Sequence, residues 1–220
     1  MNTKQLLLGL GLASALAMAG ATDSAPANTN TLKLAAPPQI IHNRTLTTLM
    51  ETDRQVFRLD ARKGDGVAWW PDSSFTNGTI ELELRGTNVF QKSFVGVAFH
   101  GLNATNYDAI YFRPFNFQSE DKARRSHGVQ YIAHPHHAWN NLRDQHPGKF
   151  ESETVPAPDP NAWLQVRIDV EHPLVRVFVN QAEQPVLTVN QLSDRKHGWI
   201  GIWTGNGSGG DFANLRVTAR

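Results

Sequence analysis

The sequence contains no cysteine. That absence removes disulfide staples, thiolate metal sites and thiol nucleophiles together, so the fold must hold by its core alone. An excess of one charge is also missing, with 21 Lys+Arg against 20 Asp+Glu. Removing Lys4 with the N-terminal segment leaves 20 against 20. This balance excludes the basic profile of a nucleic-acid binder and of an electrostatic membrane anchor. After residue 21 no apolar run reaches the about 20 residues that span a bilayer, so no membrane span is expected. A long helical period and an internal repeat are absent too.

The chain opens on Lys4, an apolar run from Leu6 to Ala19, and two small-x-small sites, Ala17-Met18-Ala19 and Ala19-Gly20-Ala21. This pattern reads as a cleaved signal peptide over residues 1–21, placing the protein in the periplasm or outside the cell. No cysteine follows it to carry a lipid. Residues 22–38 are rich in Ala, Asn, Thr and Pro and are expected to form a flexible leader. Residues 39–220 then make one domain, long enough for a sizeable core.

The dominant pattern in that domain is alternation. Ile80, Leu82 and Leu84 interleave with Thr79, Glu81, Glu83 and Arg85, which predicts a strand with one buried and one wet face. The run from Trp163 to Val170 does the same, and Leu174 to Val179 follows a turn at Glu171-His172-Pro173, predicting a hairpin. Further strands are expected at Val56–Asp60, Gly66–Trp70, Phe94–Phe99, Tyr107–Arg113, Val129–Ala133, Val186–Val189, Trp199–Thr204 and Phe212–Thr218. Short, regularly spaced strands with Gly, Asn, Asp and Pro between them predict an all-β, two-sheet antiparallel sandwich of the jelly-roll kind. Between Pro114 and Pro160 the rhythm breaks into a polar, aromatic-bearing insertion. Such insertions in a compact sandwich carry function.

Three stretches carry a resemblance: Phe75 to Leu84, Phe94 to Phe99 and Tyr107 to Arg113. With the ending Gly198-Trp199-Ile200-Gly201-Ile202-Trp203-Thr204 and Gly210 to Leu215, they resemble concanavalin A-like lectin/glucanase domains, which include LamG-like jelly rolls. The nearest branch is the one labelled 3-keto-disaccharide hydrolase or family-16-like. The resemblance implies a carbohydrate ligand, bound or cleaved outside the cytoplasm. Glycoside hydrolysis is the implied chemistry, with polysaccharide elimination behind it. The family-16 acidic signature, Glu-x-Asp-x-Glu or Glu-x-Asp-x-x-Glu, does not occur; Glu81-Leu82-Glu83 comes nearest. A non-catalytic carbohydrate-binding module, or a structural or partner-binding exported protein, are the alternatives.

The candidate site gathers on the insertion and the strands that feed it. Tyr111 and Arg113 share a face of one expected strand, and Gln130 and His134 share a face of the next. Arg forks onto carboxylate or sulfate, and Tyr offers a flat face and a hydroxyl. Tyr111, Arg113, Gln130, Tyr131, Arg125, Trp139 and Trp203 are the expected ligand contacts. His134, His127 and Tyr111 are the expected proton-handling groups, imidazole being tuned near neutrality. The alternative puts Tyr111 in the core and pairs Arg113 with Glu120 or Asp121, with Arg124 and Arg125 neutralising the same acids. Glu81 and Glu83, two apart on one face, have a spacing that a pair of glycosidase carboxylates tolerates. Of the adjacent Trp69 and Trp70, one should be core and the other exposed or at a site; Trp163 and Trp199 read as core. No cofactor is expected. A structural calcium would need Asp211 with Asn206 or Asn214, and His134, His136, His137 and His146 lack a metal-binding spacing.

Overall fold

A computed structural model describes residues 30–220, together with Met1. The expected signal, apart from its first residue, and the start of the leader lie outside these residues. In chain order the strands are β1 Asn30–Lys33, β2 Ile40–His42, β3 Leu46–Glu51, β4 Arg54–Arg62, β5 Gly66–Phe75, β6 Gly78–Arg85, β7 Val95–Gly101 and β8 Tyr107–Phe112. Three short helices, α1 Pro114–Phe117, α2 Lys122–Arg125 and α3 Trp139–Gln145, alternate with β9 Val129–His134 and β10 Glu151–Ser152. The chain closes with β11 Leu164–Glu171, β12 Leu174–Val179, β13 Leu187–Asn190, β14 Gly198–Thr204 and β15 Ser208–Ala219.

These strands form the two stacked antiparallel sheets expected of a jelly roll. The first runs β13-β12-β11-β6-β15-β4-β3, and the second β10-β9-β8-β7-β14-β5-β2. β15 is long and bulged between Ala213 and Arg216. Along one edge β4 covers its first half and β1 its second. The sandwich thus begins before Gln39: β1 pairs with β15, and the Ala36 carbonyl accepts from the Trp70 indole at 2.7 Å.

The core lies between the sheets. Ile80, Leu82 and Leu84 of β6 and Val166, Ile168 and Val170 of β11 point inward, as their alternation requires. Burying such side chains yields roughly 25 cal/mol per Å² of apolar surface. The second sheet differs. β7 and β8 are buried at every residue, and β9 at all but its last. Both faces of the sheet are therefore covered at β7, β8 and β9, the inner face by the first sheet and the outer face by rings and the 114–160 insertion, while β2 at the far edge is exposed.

Candidate functional site

The outer face of the second sheet starts from small residues. Gly96, Ala98, Ala109 and Gly201 stand on it where β14, β7 and β8 run side by side. A Cβ on Gly96 would fall 2.2 Å from the Ile110 carbonyl oxygen, and one on Gly201 would fall 2.5 Å from the Trp69 ring. Without those atoms, large rings lie down across the strands. Trp69 packs on Tyr107 at 5.7 Å, and the Trp203 indole donates to the Tyr107 hydroxyl at 3.0 Å. Trp203 and Tyr111 approach to 5.0 Å, and Phe94 and Phe115 continue the row.

A cleft of about 530 Å³ opens over this floor. Tyr111, Arg113 and Trp203 line its base; His134 and Asp65 line one part of the wall, with the His134 Nε2 to Asp65 Oδ2 distance 3.5 Å. Trp139, at the start of α3, and Phe90 stand at the rim, 49% and 55% exposed. His127, Asn116, Arg124 and Arg143 complete the polar lining.

Arg113 organises the base, although it is only 5% exposed. Its Nη2 donates to Gln130 Oε1 and to the Tyr111 hydroxyl, and its Nη1 donates to the His127 carbonyl at 2.9 Å. Gln130 is wholly buried beneath the floor; its Oε1 also accepts from the Tyr111 hydroxyl at 3.0 Å. The counter-charge comes from Glu151 on β10, 3.7 Å from Arg113 and held by two hydrogen bonds from Arg143 at 2.9 and 2.6 Å. β10 pairs Glu151 directly with Gln130, which is what brings the carboxylate under the cleft. Burial depresses the Arg113 pKa from its ordinary value, while the hydrogen bonds to Glu151 raise that of Arg143. Burial pushes the Tyr111 hydroxyl up to about 12, so it stays protonated at neutral pH. The His127 pKa is lowered, chiefly by burial, against the pull of Glu151 2.9 Å away.

Among the expected contacts, the structure brings Tyr111, Arg113, His127, His134, Trp139 and Trp203 to this one cleft, with Gln130 directly beneath it. Two are elsewhere. Tyr131 follows Gln130 and so points to the inner face of β9, where its hydroxyl donates to buried Asp108 and accepts from the Leu192 amide. Arg125 turns away to Glu153 at 2.9 Å and to the Ser119 and Glu120 carbonyls. Arg113 pairs with Glu151 and not with Glu120 or Asp121; Asp121 caps α2 through the Ala123 amide.

Glu81 and Glu83 lie on the outer face of the other sheet. Glu83 is bonded to Arg54, and Glu81 stands in register with Arg167 and Arg216. Trp69 and Trp70 are both buried, because the cleft side of β5 is roofed by Trp199 and Tyr107. Trp163 is half-buried on the first sheet, under the guanidinium groups of Arg54 and Arg85. Asp211, the proposed calcium ligand, is taken by Arg58 and Arg85, and Asn206 Oδ1 accepts from the Gly64 amide. Among the described residues no group of three or more His, Asp or Glu is placed to hold a metal.

Sequence reasoning missed Asp65, Glu151, Arg143 and the Phe90–Phe94–Phe115 wall. The one available signal for Phe94 was its place at the head of an expected strand. A lone glutamate on a two-residue strand gives none.

No protein-family model matches the chain, and no curated protein matches it. Solved structures do. A carbohydrate-binding module, CBM66, from Bacillus subtilis is 12% identical over 80% of this chain and 96% of its own, with a TM-score of 0.53. The mannose- and calcium-bound VIP36 exoplasmic/lumenal domain is 12% identical over 80% of this chain and 81% of its own, at 0.51. A Bacillus licheniformis β-glucanase is 14% identical over 86% and 92%, at 0.50. The fold is thus the concanavalin A-like lectin/glucanase jelly roll. The narrower hydrolase branch remains a resemblance of sequence alone.

Proposed function

We propose that the protein is an exported carbohydrate-binding protein whose outer-sheet cleft holds a sugar without cleaving it. The observation that carries this reading is the cleft itself: the exposed rings of Trp139 and Phe90 stand over a buried floor of Tyr111 and Trp203, beside polar groups at His134, Asp65 and Arg113. Rings stack on the C–H faces of a pyranose or furanose, and the polar groups select its hydroxyls. Structures of the same fold include a carbohydrate-binding module and a mannose-bound domain, which supports the reading. Among the described residues Asp65 is the single acid lining the cleft. Glycoside hydrolysis in this kind of site uses two carboxyl groups, and Glu151 is committed to Arg143 below. Tyr111 and Gln130 hold Arg113 in place, so Tyr111 acts as a floor and not as a base. A cleaved N-terminal signal would deliver this binder to glycans outside the cytoplasm.

The test is to titrate a glycan panel into the mature protein and to weigh the same glycans by mass spectrometry after long incubation. Saturable binding with every glycan intact is expected. A product carrying added water would make the protein a hydrolase, and a product without it a lyase. No binding to any glycan would sink the reading.

A further inference from the structure

Three arginines line the cleft, and each lies over one of its rings. Arg113 sits 4.8 Å from the Tyr111 centroid, Arg143 5.1 Å from Trp139, and Arg124 4.4 Å from Phe90. The rings brace the guanidinium planes without neutralising them. Each arginine also spends only part of its donor set. Arg113 uses both terminal nitrogens, Arg124 uses Nε and Nη2 on Asn116 and Phe115, and Arg143 uses Nε and Nη2 on Glu151. Among the described residues no hydrogen bond takes up Arg113 Nε, Arg124 Nη1 or Arg143 Nη1.

On the cleft side the charge around these donors is unbalanced. Arg113 and Arg143 share the one carboxylate of Glu151, and Arg124 is bonded to neutral oxygens, with Glu120 and Asp121 lining the neighbouring pocket on its far side. The cleft's own acid, Asp65, lies beside His134. A site for a neutral sugar has no need of three cations held at partial desolvation cost. An anionic substituent on the sugar would take up the spare donors as charge-assisted hydrogen bonds.

Resting on the binding reading above, we infer that the cleft takes an acidic sugar, one bearing a carboxylate or sulfate, with its ring against the exposed Trp139 and Phe90 rings and its anion toward Arg124 and Arg143, above Arg113. The acid supplies the negative charge that the cleft lining lacks, and binding should weaken with salt as screening grows.

Two matched pairs of probes test this: oligogalacturonate with its carboxyl-reduced form, and a sulfated galactan oligosaccharide with its desulfated form, alongside a neutral glycan panel. Calorimetry is expected to show the charged member of at least one pair bound about tenfold tighter at low salt, with the advantage shrinking as salt is raised. Which pair responds identifies carboxylate or sulfate. Arg124→Gln should remove most of the advantage, with an unchanged thermal melt showing that the variant is folded; a folded variant that keeps the full advantage overturns the inference. Equal affinity within each pair, or binding of the neutral panel alone, overturns the acidic-sugar inference and leaves the binding function standing. Absence of binding to every probe overturns both.

Discussion

The two sheets present outer faces of opposite character. On the first sheet the charges are matched across strands: Arg54 with Glu83, Arg58 and Arg85 with the largely buried Asp211, Arg176 and Arg220 with Glu171. Apart from those on Asp211, these pairs are at least partly exposed, and such pairs contribute about 0–1 kcal/mol. On the second sheet the charges are fewer, deeper and unevenly matched, with Glu151 only 4% exposed between two arginines. One architecture has thus produced a neutralised, hydrated face and a face where rings and spare donors are held ready. The difference follows from what covers each sheet. The first meets water directly, while the second carries the insertion between β8 and β11.

Replacing a single acid on each face breaks the comparison most sharply. Glu151→Ala leaves Arg113 and Arg143 without their buried partner and should lower unfolding free energy by about 3 kcal/mol in urea melts. Glu83→Ala, on the hydrated face, should cost less than about 1 kcal/mol. Equal losses would show that the two faces are energetically alike. Gly96→Ala comes next. Its Cβ would press on the Ile110 carbonyl and on Tyr111, so a cost of about 1–3 kcal/mol is expected, together with weakened glycan binding. Trp139→Ala separates function from stability. The ring is half exposed at the rim, so affinity should fall about tenfold, near the ~1.4 kcal/mol of one decade, with the melting temperature barely moved.

The smallest effect concerns a group between the sheets. His100 is fully buried, its Nε2 2.7 Å from the Thr76 carbonyl oxygen, and burial lowers its pKa below the ordinary 6.5. The unfolded chain therefore binds more protons than the folded one from about pH 6.5 down to that lowered value. Stability from this residue is present above pH 6.5 and is lost as pH falls through the window. His127 and His137 shift in the same direction. Melting temperatures should drop on acidification through this range. His100→Asn, which tolerates the positive φ of 48° at this position, should flatten the drop.

The sandwich was legible because alternation and turn residues both act locally. Ile80, Leu82 and Leu84 declare a half-buried strand without any knowledge of their partners, and the β11–β12 hairpin follows from one turn. The site was legible where strand parity fixes a side: Tyr111 and Arg113 project with Gln130 and His134 because β8 and β9 pair in register. The same parity, applied to Tyr131, should have placed it inside. Glu151 and Asp65 reach the cleft by long-range pairing and loop path, which no local pattern encodes. The short helices α1 to α3 escaped notice because four to seven residues are too few for a helical period to show.

The most direct measurement follows the six tryptophan indole N–H signals by NMR during titration with a bound glycan. Trp139 and Trp203 line the cleft, and Trp163 lies on the opposite sheet among Arg54 and Arg85. The Trp139 and Trp203 signals are expected to move with saturation while that of Trp163 stays still. Movement of Trp163 with Trp139 and Trp203 fixed would place the ligand on the other face and contradict the cleft as its site.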